Sequence, residues 1–226
     1  MKEPNRERKG EIKSISAVTL NDEQKEAMSL IYQHQVVVIT GRAGSGKSLV
    51  CAAAGLKFLK TKQIDTLYST RAAIEVGKSL GFLPGTLGEK FDPYIEAFKE
   101  NLKKCSTDKA DIDDLFKTEK IQSLPVQFIR GKTMDDVLIV EEAQNLTKAE
   151  MLAILTRLGK TGKIIVNGDP EQQDTSEGLT GLAFAIELSK VIEGIVHIKL
   201  KENHRSDLVG QILDHVYGKK SNGNGN

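Results

Sequence analysis

Three short runs of the chain are apolar at every position: Val36-Val37-Val38-Ile39, Val137-Leu138-Ile139-Val140 and Ile164-Ile165-Val166. Unbroken, largely β-branched runs of this length predict strands buried on both faces, as in a parallel sheet. Thr66 to Thr70 and Ile195 to Leu200 read as further strands, and Val126 to Ile129 as a short one. Helical spacing lies between them. Asn21 with Gln24, and Thr147 with Glu150, have the spacing of capping boxes at helix starts. The predicted helices cover about 22–33, 47–60, 75–80, 148–158, 178–190 and 207–217. Gly81-Phe82-Leu83-Pro84-Gly85 breaks the third of these. Residues 88–124 are rich in Lys and Asp, with Tyr94, Phe98 and Leu102, then Ile112, Leu115 and Phe116, at helical intervals. They read as a helical insertion rather than a second domain.

Strands alternating with helices imply a mostly parallel α/β sheet with helices on both faces. Such sheets bind ligands beyond the carboxyl ends of their strands. The expected organisation is one domain over 17–218, a flexible start over 1–16 and a disordered Gly/Asn-rich tail over 219–226.

Composition narrows this picture. The 226 residues are 39% hydrophobic and 28% charged, as in ordinary globular proteins, and the net charge is only +1. No global field draws in nucleic acid, so such binding would need a local patch. The two cysteines, Cys51 and Cys105, form no ligand cluster, and His34, His197, His204 and His215 show no metal spacing. Met1 to Gly10 is polar with no apolar core, so a signal peptide is not expected. No apolar run is long enough to span a membrane, and the expected location is cytoplasmic.

The chemistry begins where the first apolar run ends. Gly41-Arg42-Ala43-Gly44-Ser45-Gly46-Lys47-Ser48 fits the phosphate-loop pattern, set between a strand and a helix that opens with Leu49. Glycines let the main chain approach a ligand, and loop N–H groups with the helix N-terminus favour an anion. Lys47 offers a charge to the β- and γ-phosphates, and Ser48 a hydroxyl to Mg²⁺. The second apolar run ends on Glu141-Glu142. Two acids leaving a buried strand can divide the work: Glu141 in the metal's outer sphere, Glu142 as general base. Gln172 follows the third run and suits a γ-phosphate sensor, although Gly168-Asp169-Pro170 is also ordinary turn chemistry. Arg205 suits the charge on a transferring phosphate, or a plain surface position near a helix start.

With these residues in place, the chain resembles the PhoH family of P-loop ATPases. The resemblance is carried by GRAGSGKS (41–48), GFLPGTLGEKFDPY (81–94), IRGKTMDD (129–136), VEEAQN (140–145), LTRLGKTGKIIVNGDPEQQD (155–174) and HRSDLVGQILDHVYG (204–218). That family is similar to the first motor domain of superfamily-1 helicases, so a RecA-like P-loop NTPase fold is implied. In that light Gln24 would read the adenine edge, His204 would stand where an aromatic stacks on the base, and Arg205 would reach the γ-phosphate. Glu141 stands where the family usually has Asp. Some relatives carry an N-terminal PIN nuclease domain, which this length does not accommodate.

The resemblance implies ATP hydrolysis with Mg²⁺, coupled to RNA or single-stranded DNA in a homo-oligomer such as a hexameric ring. Thr70, Arg71, Arg130, Lys132 and Thr133, on loops expected near the rim, are the candidate nucleic-acid contacts. The alternative from another class is a slow ATP-dependent switch or scaffold that binds a protein partner through 88–124. A small-molecule kinase is the weaker third reading.

Overall fold

A computed structural model describes residues 18–72, 87–172 and 179–202, together with His215. The predicted helices at 75–80 and 207–217, the Gly81–Gly85 break, and His204 and Arg205 lie outside the described residues apart from His215. The chain runs α1 (Asp22–Gln33), β1 (Val36–Gly41), α2 (Lys47–Lys60), β2 (Leu67–Arg71), α3 (Leu87–Lys104), α4 (Lys109–Lys117), β3 (Ile121–Ser123), α5 (Val126–Ile129), β4 (Val137–Glu141), α6 (Lys148–Leu155), β5 (Lys163–Gly168), α7 (Gly181–Ser189) and β6 (Ile195–Leu200).

All described strands pair in parallel, in the order β3-β2-β4-β5-β1-β6. Side chains alternate across the sheet. Val37, Ile39, Leu67, Val137, Ile139 and Ile165 face a layer made by α1, α2, α3 and α4. Val36, Val38, Leu138, Val140, Ile164 and Val166 face α5, α6 and α7. Both faces are covered, which is why the central strands lack a polar stripe. The two predicted capping boxes form: Asn21 with Gln24 on α1, and Thr147 with Glu150 on α6.

Two expectations change. Val126–Ile129 is a short helix, not a strand. Val126 and Ile129 are buried while Gln127 and Phe128 are exposed, a helical spacing, and Pro125 at the N-cap has the φ of −56° that suits a helix start. The strand of this region lies earlier, at Ile121–Ser123, inside the stretch expected to be wholly helical. It pairs with β2, so 88–124 carries the crossover between two neighbouring strands and is not an appendage. Phe98, Leu102, Ile112 and Leu115 pack with α2 residues in one core.

Among the described residues, no helix is long and apolar enough to cross a membrane.

Leu102 is fully buried between α3 and α2. Leu102→Ala is expected to destabilise the chain by about 2–5 kcal/mol in urea unfolding. A loss below about 0.5 kcal/mol would mean that α3 is not docked on the core.

Candidate functional site

The parallel sheet brings the ends of β2, β4, β5 and β1 to one rim in that order, at Arg71, Glu141, Gly168 and Gly41. The loop after β1 wraps toward α2. Gly46 has φ +85°, a conformation that side chains rarely adopt, and a Cβ there would run into the Gln24 amide. A Cβ on Gly41 would come within 2.6 Å of the Leu200 carbonyl oxygen. Helices α1, α4, α6 and α7 each have a side-chain cap, whereas α2 has none and no acid in its first turn. The first N–H groups of α2, from Lys47, Ser48 and Leu49 onward, thus face a place suited to an anion.

Residues outside the loop hold it. Gln24 Nε2 donates to Ser45 O at 3.1 Å, while Gln24 Oε1 accepts from Asn21 N at 3.2 Å. The Gln24 side chain is therefore committed to the capping box and to the loop. As placed it braces the phosphate loop. Ala43 N donates to Asp169 Oδ2 at 3.0 Å, and Arg42 Nε to Glu171 Oε2 at 2.8 Å. The last pair is part-exposed and worth little by itself. Lys47 Nζ donates to the Gly41 and Arg42 carbonyls at 2.6 and 3.0 Å. Its ammonium is thus already drawn back over the loop.

Glu141 is buried at 7% exposure and sits at the end of β4. Burial pushes its carboxyl up to about 7, the Arg71 guanidinium opposes this, Glu142 adds to it, and a Ser48 hydrogen bond lowers it. Ser48 and Glu141, the two residues expected at the metal, are therefore in contact. A hydroxyl beside a buried carboxylate is a hard oxygen set that suits Mg²⁺. The elevated titration of Glu141 is that of a carboxylate whose desolvation outweighs the attraction of Arg71 and Ser48. Glu142 follows in the left-handed region, at φ 50° and ψ 46°. Gln172 N closes a turn onto Asp169 O at 3.1 Å, which puts the expected phosphate sensor on the same loop that grips Ala43.

The five candidate nucleic-acid contacts do not form one surface. Thr70 is buried at 2% exposure. Arg71 is register partner to Glu141 and its charge acts on that carboxyl, at the carboxyl end of the sheet. Arg130, Lys132 and Thr133 lie at the other end of the sheet, away from the rim expected for them. The Arg130 carbonyl accepts from Arg157 Nη1 at 3.1 Å, near the end of α6, and Met134 N donates to Arg157 O at 2.7 Å. Lys132 Nζ lies 4.8 Å from the Tyr68 ring centroid, close to the amino end of β2. The cause is α5, which carries the chain back along the sheet before β4 begins.

Cys51 is a buried core residue whose thiol burial pushes up to about 12, and Cys105 is pushed up to about 11. Cys51 Sγ accepts from Asn167 Nδ2 at 3.5 Å. His197 Nε2 and Thr40 Oγ1 share a hydrogen bond at 2.8 Å across β6 and β1. The motif reading missed Gln144, which is 2% exposed and joined to Glu142. Its signal was a long amide in the acidic turn of a buried strand, where a polar side chain must find partners.

A family model described as "PhoH: PhoH-like protein" matches residues 15–217. The PhoH-like protein of Bacillus subtilis (strain 168) is 37% identical over 217 residues, covering 92% of this chain and 66% of that protein. Across such curated relatives the chain spans 57% to 66% of their length. The large terminase of a thermophilic bacteriophage, in complex with ADP, superposes with a TM-score of 0.54 at 13% identity, over 88% of this chain and 50% of that one. The Pif1 helicase of Candida albicans gives 0.48 at 18% identity, over 88% of this chain and 44% of that one. The architecture is that of a P-loop ATPase domain.

Glu141 binds its proton more tightly when folded, at about 7 against an ordinary 4.5. Its contribution to stability is therefore greatest at low pH and is lost as pH rises from about 4.5 through about 7. Thermal unfolding without metal or nucleotide should show Glu141→Gln gaining on the parent between about pH 5 and pH 8, by on the order of 3 kcal/mol. A difference that does not change with pH would refute the burial of this charge.

Proposed function

This chain belongs to the PhoH family, and we propose that it binds and hydrolyses ATP with Mg²⁺. The observation that carries the reading is the meeting of Ser48 with the buried Glu141 beneath a phosphate loop whose helix start is left uncapped. Ser48 and Glu141 would hold the metal, which when bound neutralises charge on the β- and γ-phosphates. The N–H groups of Gly44 and of residues 46–49 donate to the phosphate oxygens, while those of Ala43 and Ser45 hold the loop. Lys47 exchanges its contacts with the Gly41 and Arg42 carbonyls for the phosphates. Glu142 takes the proton of the attacking water. By the family resemblance Gln172 would report the γ-phosphate, Arg205 would offset its charge, and His204 would take the place of the residue that stacks on the base. Turnover coupled to RNA or single-stranded DNA, by an oligomer, extends this reading.

A second reading is favoured by one specific observation. The cations expected to bind nucleic acid are divided between the two ends of the sheet. A slow switch needs no such surface. It needs only that the phosphate loop and the loop after β5 move together, and Asp169 joins them.

Glu142→Gln should lower ATP turnover by roughly 10²–10⁴ and leave ATP affinity within a few-fold. Equal turnover in the two proteins would remove Glu142 from its role. Turnover with and without single-stranded RNA and DNA separates the two functions. Stimulation that fades with added salt marks a nucleic-acid motor, while a low and indifferent rate marks the switch.

A further inference from the structure

The Gln144 amide has both of its ends in use. Its Nε2 donates to Glu142 Oε2 at 2.6 Å, and its Oε1 accepts from Asp169 N at 3.0 Å. The Asp169 carboxylate then accepts from Ala43 N at 3.0 Å and from Glu171 N at 2.9 Å. An unbroken chain of hydrogen bonds therefore links the acid after β4, the loop after β5 and the phosphate loop. Gly168 leaves room for it, because a Cβ there would come within 2.6 Å of Gln144 Oε1. The orientation of the amide follows from its partners. A carboxylate can only accept, and a backbone N–H can only donate.

Glu142 needs such help. Its left-handed backbone costs energy for a residue with a side chain, so contacts that hold it there matter. A general base must also present one free oxygen to water at a fixed angle. The Gln144 N–H engages Oε2 and so fixes the plane in which Oε1 lies. We propose that Gln144 is the positioning residue for Glu142, aiming its carboxylate and tying that aim to the loop that grips Ala43. This rests on the reading of Glu142 as the base.

Two substitutions divide the bridge. Gln144→Leu removes both halves. Gln144→Glu keeps an acceptor for Asp169 N but replaces the donor to Glu142 with a like charge. Both are expected to lower kcat for ATP by roughly 10–100-fold, with ATP affinity within about 3-fold of the parent. Added to Glu142→Gln, Gln144→Leu should slow turnover no further, because the residue acts through the base already removed. Parent-like turnover by Gln144→Glu would overturn the proposal, since holding the Asp169 loop would then be the whole role. Additive slowing in the double variant would overturn it as well. Should Gln144→Leu fail to fold, judged by its melting curve, the Gln144→Glu comparison decides alone. The failure of the underlying reading looks different: Glu142→Gln would itself hydrolyse ATP at the parent rate, whatever the Gln144 variants do.

Discussion

A phosphate loop carries a built-in conflict. Its N–H groups must stay unpaired among themselves to serve a ligand, yet unpaired backbone groups invite the loop to collapse. In this chain the conflict is resolved partly from outside the loop and partly by Lys47 and by the Ser45 N–H, which donates to Arg42 O at 3.1 Å. The Gln24 amide takes the Ser45 carbonyl, the Asp169 carboxylate takes the Ala43 N–H, and Lys47 satisfies the carbonyls of Gly41 and Arg42. Each brace comes from a different part of the fold: α1, the loop after β5, and the start of α2. The open loop therefore depends on the sheet, which brings β1 and β5 side by side.

The second organising tension is electrostatic. Glu141 is buried at the end of β4, where a charged carboxylate is disfavoured, with Arg71 and Ser48 offsetting the cost only in part. A buried carboxylate beside a hydroxyl and below an uncapped helix start carries the kind of shifted titration that functional sites often show. Arg71, which the sequence suggested for nucleic acid, is drawn into this balance by its register with Glu141.

What the sequence determined by itself was largely local. The apolar runs placed β1, β4 and β5 because strands buried on both faces leave no room for polar alternation. The phosphate loop, both capping boxes and the two acids after β4 were legible because their chemistry is set by neighbours within a few residues. The tertiary structure decided whatever depends on residues far apart in the chain. It turned Val126–Ile129 into a helix, because burial at a spacing of three outweighed β-propensity, and it brought Ile121–Ser123 to β2 as a strand. It carried Arg130, Lys132 and Thr133 to the far end of the sheet, since the direction of the return leg is not written in those residues. It also joined Gln144 to Asp169, 25 positions along the chain, and Gln24 to Ser45, 21 positions away. A hydrogen bond needs its donor and acceptor within about 3 Å, and only the packing of the strands brings those groups that close.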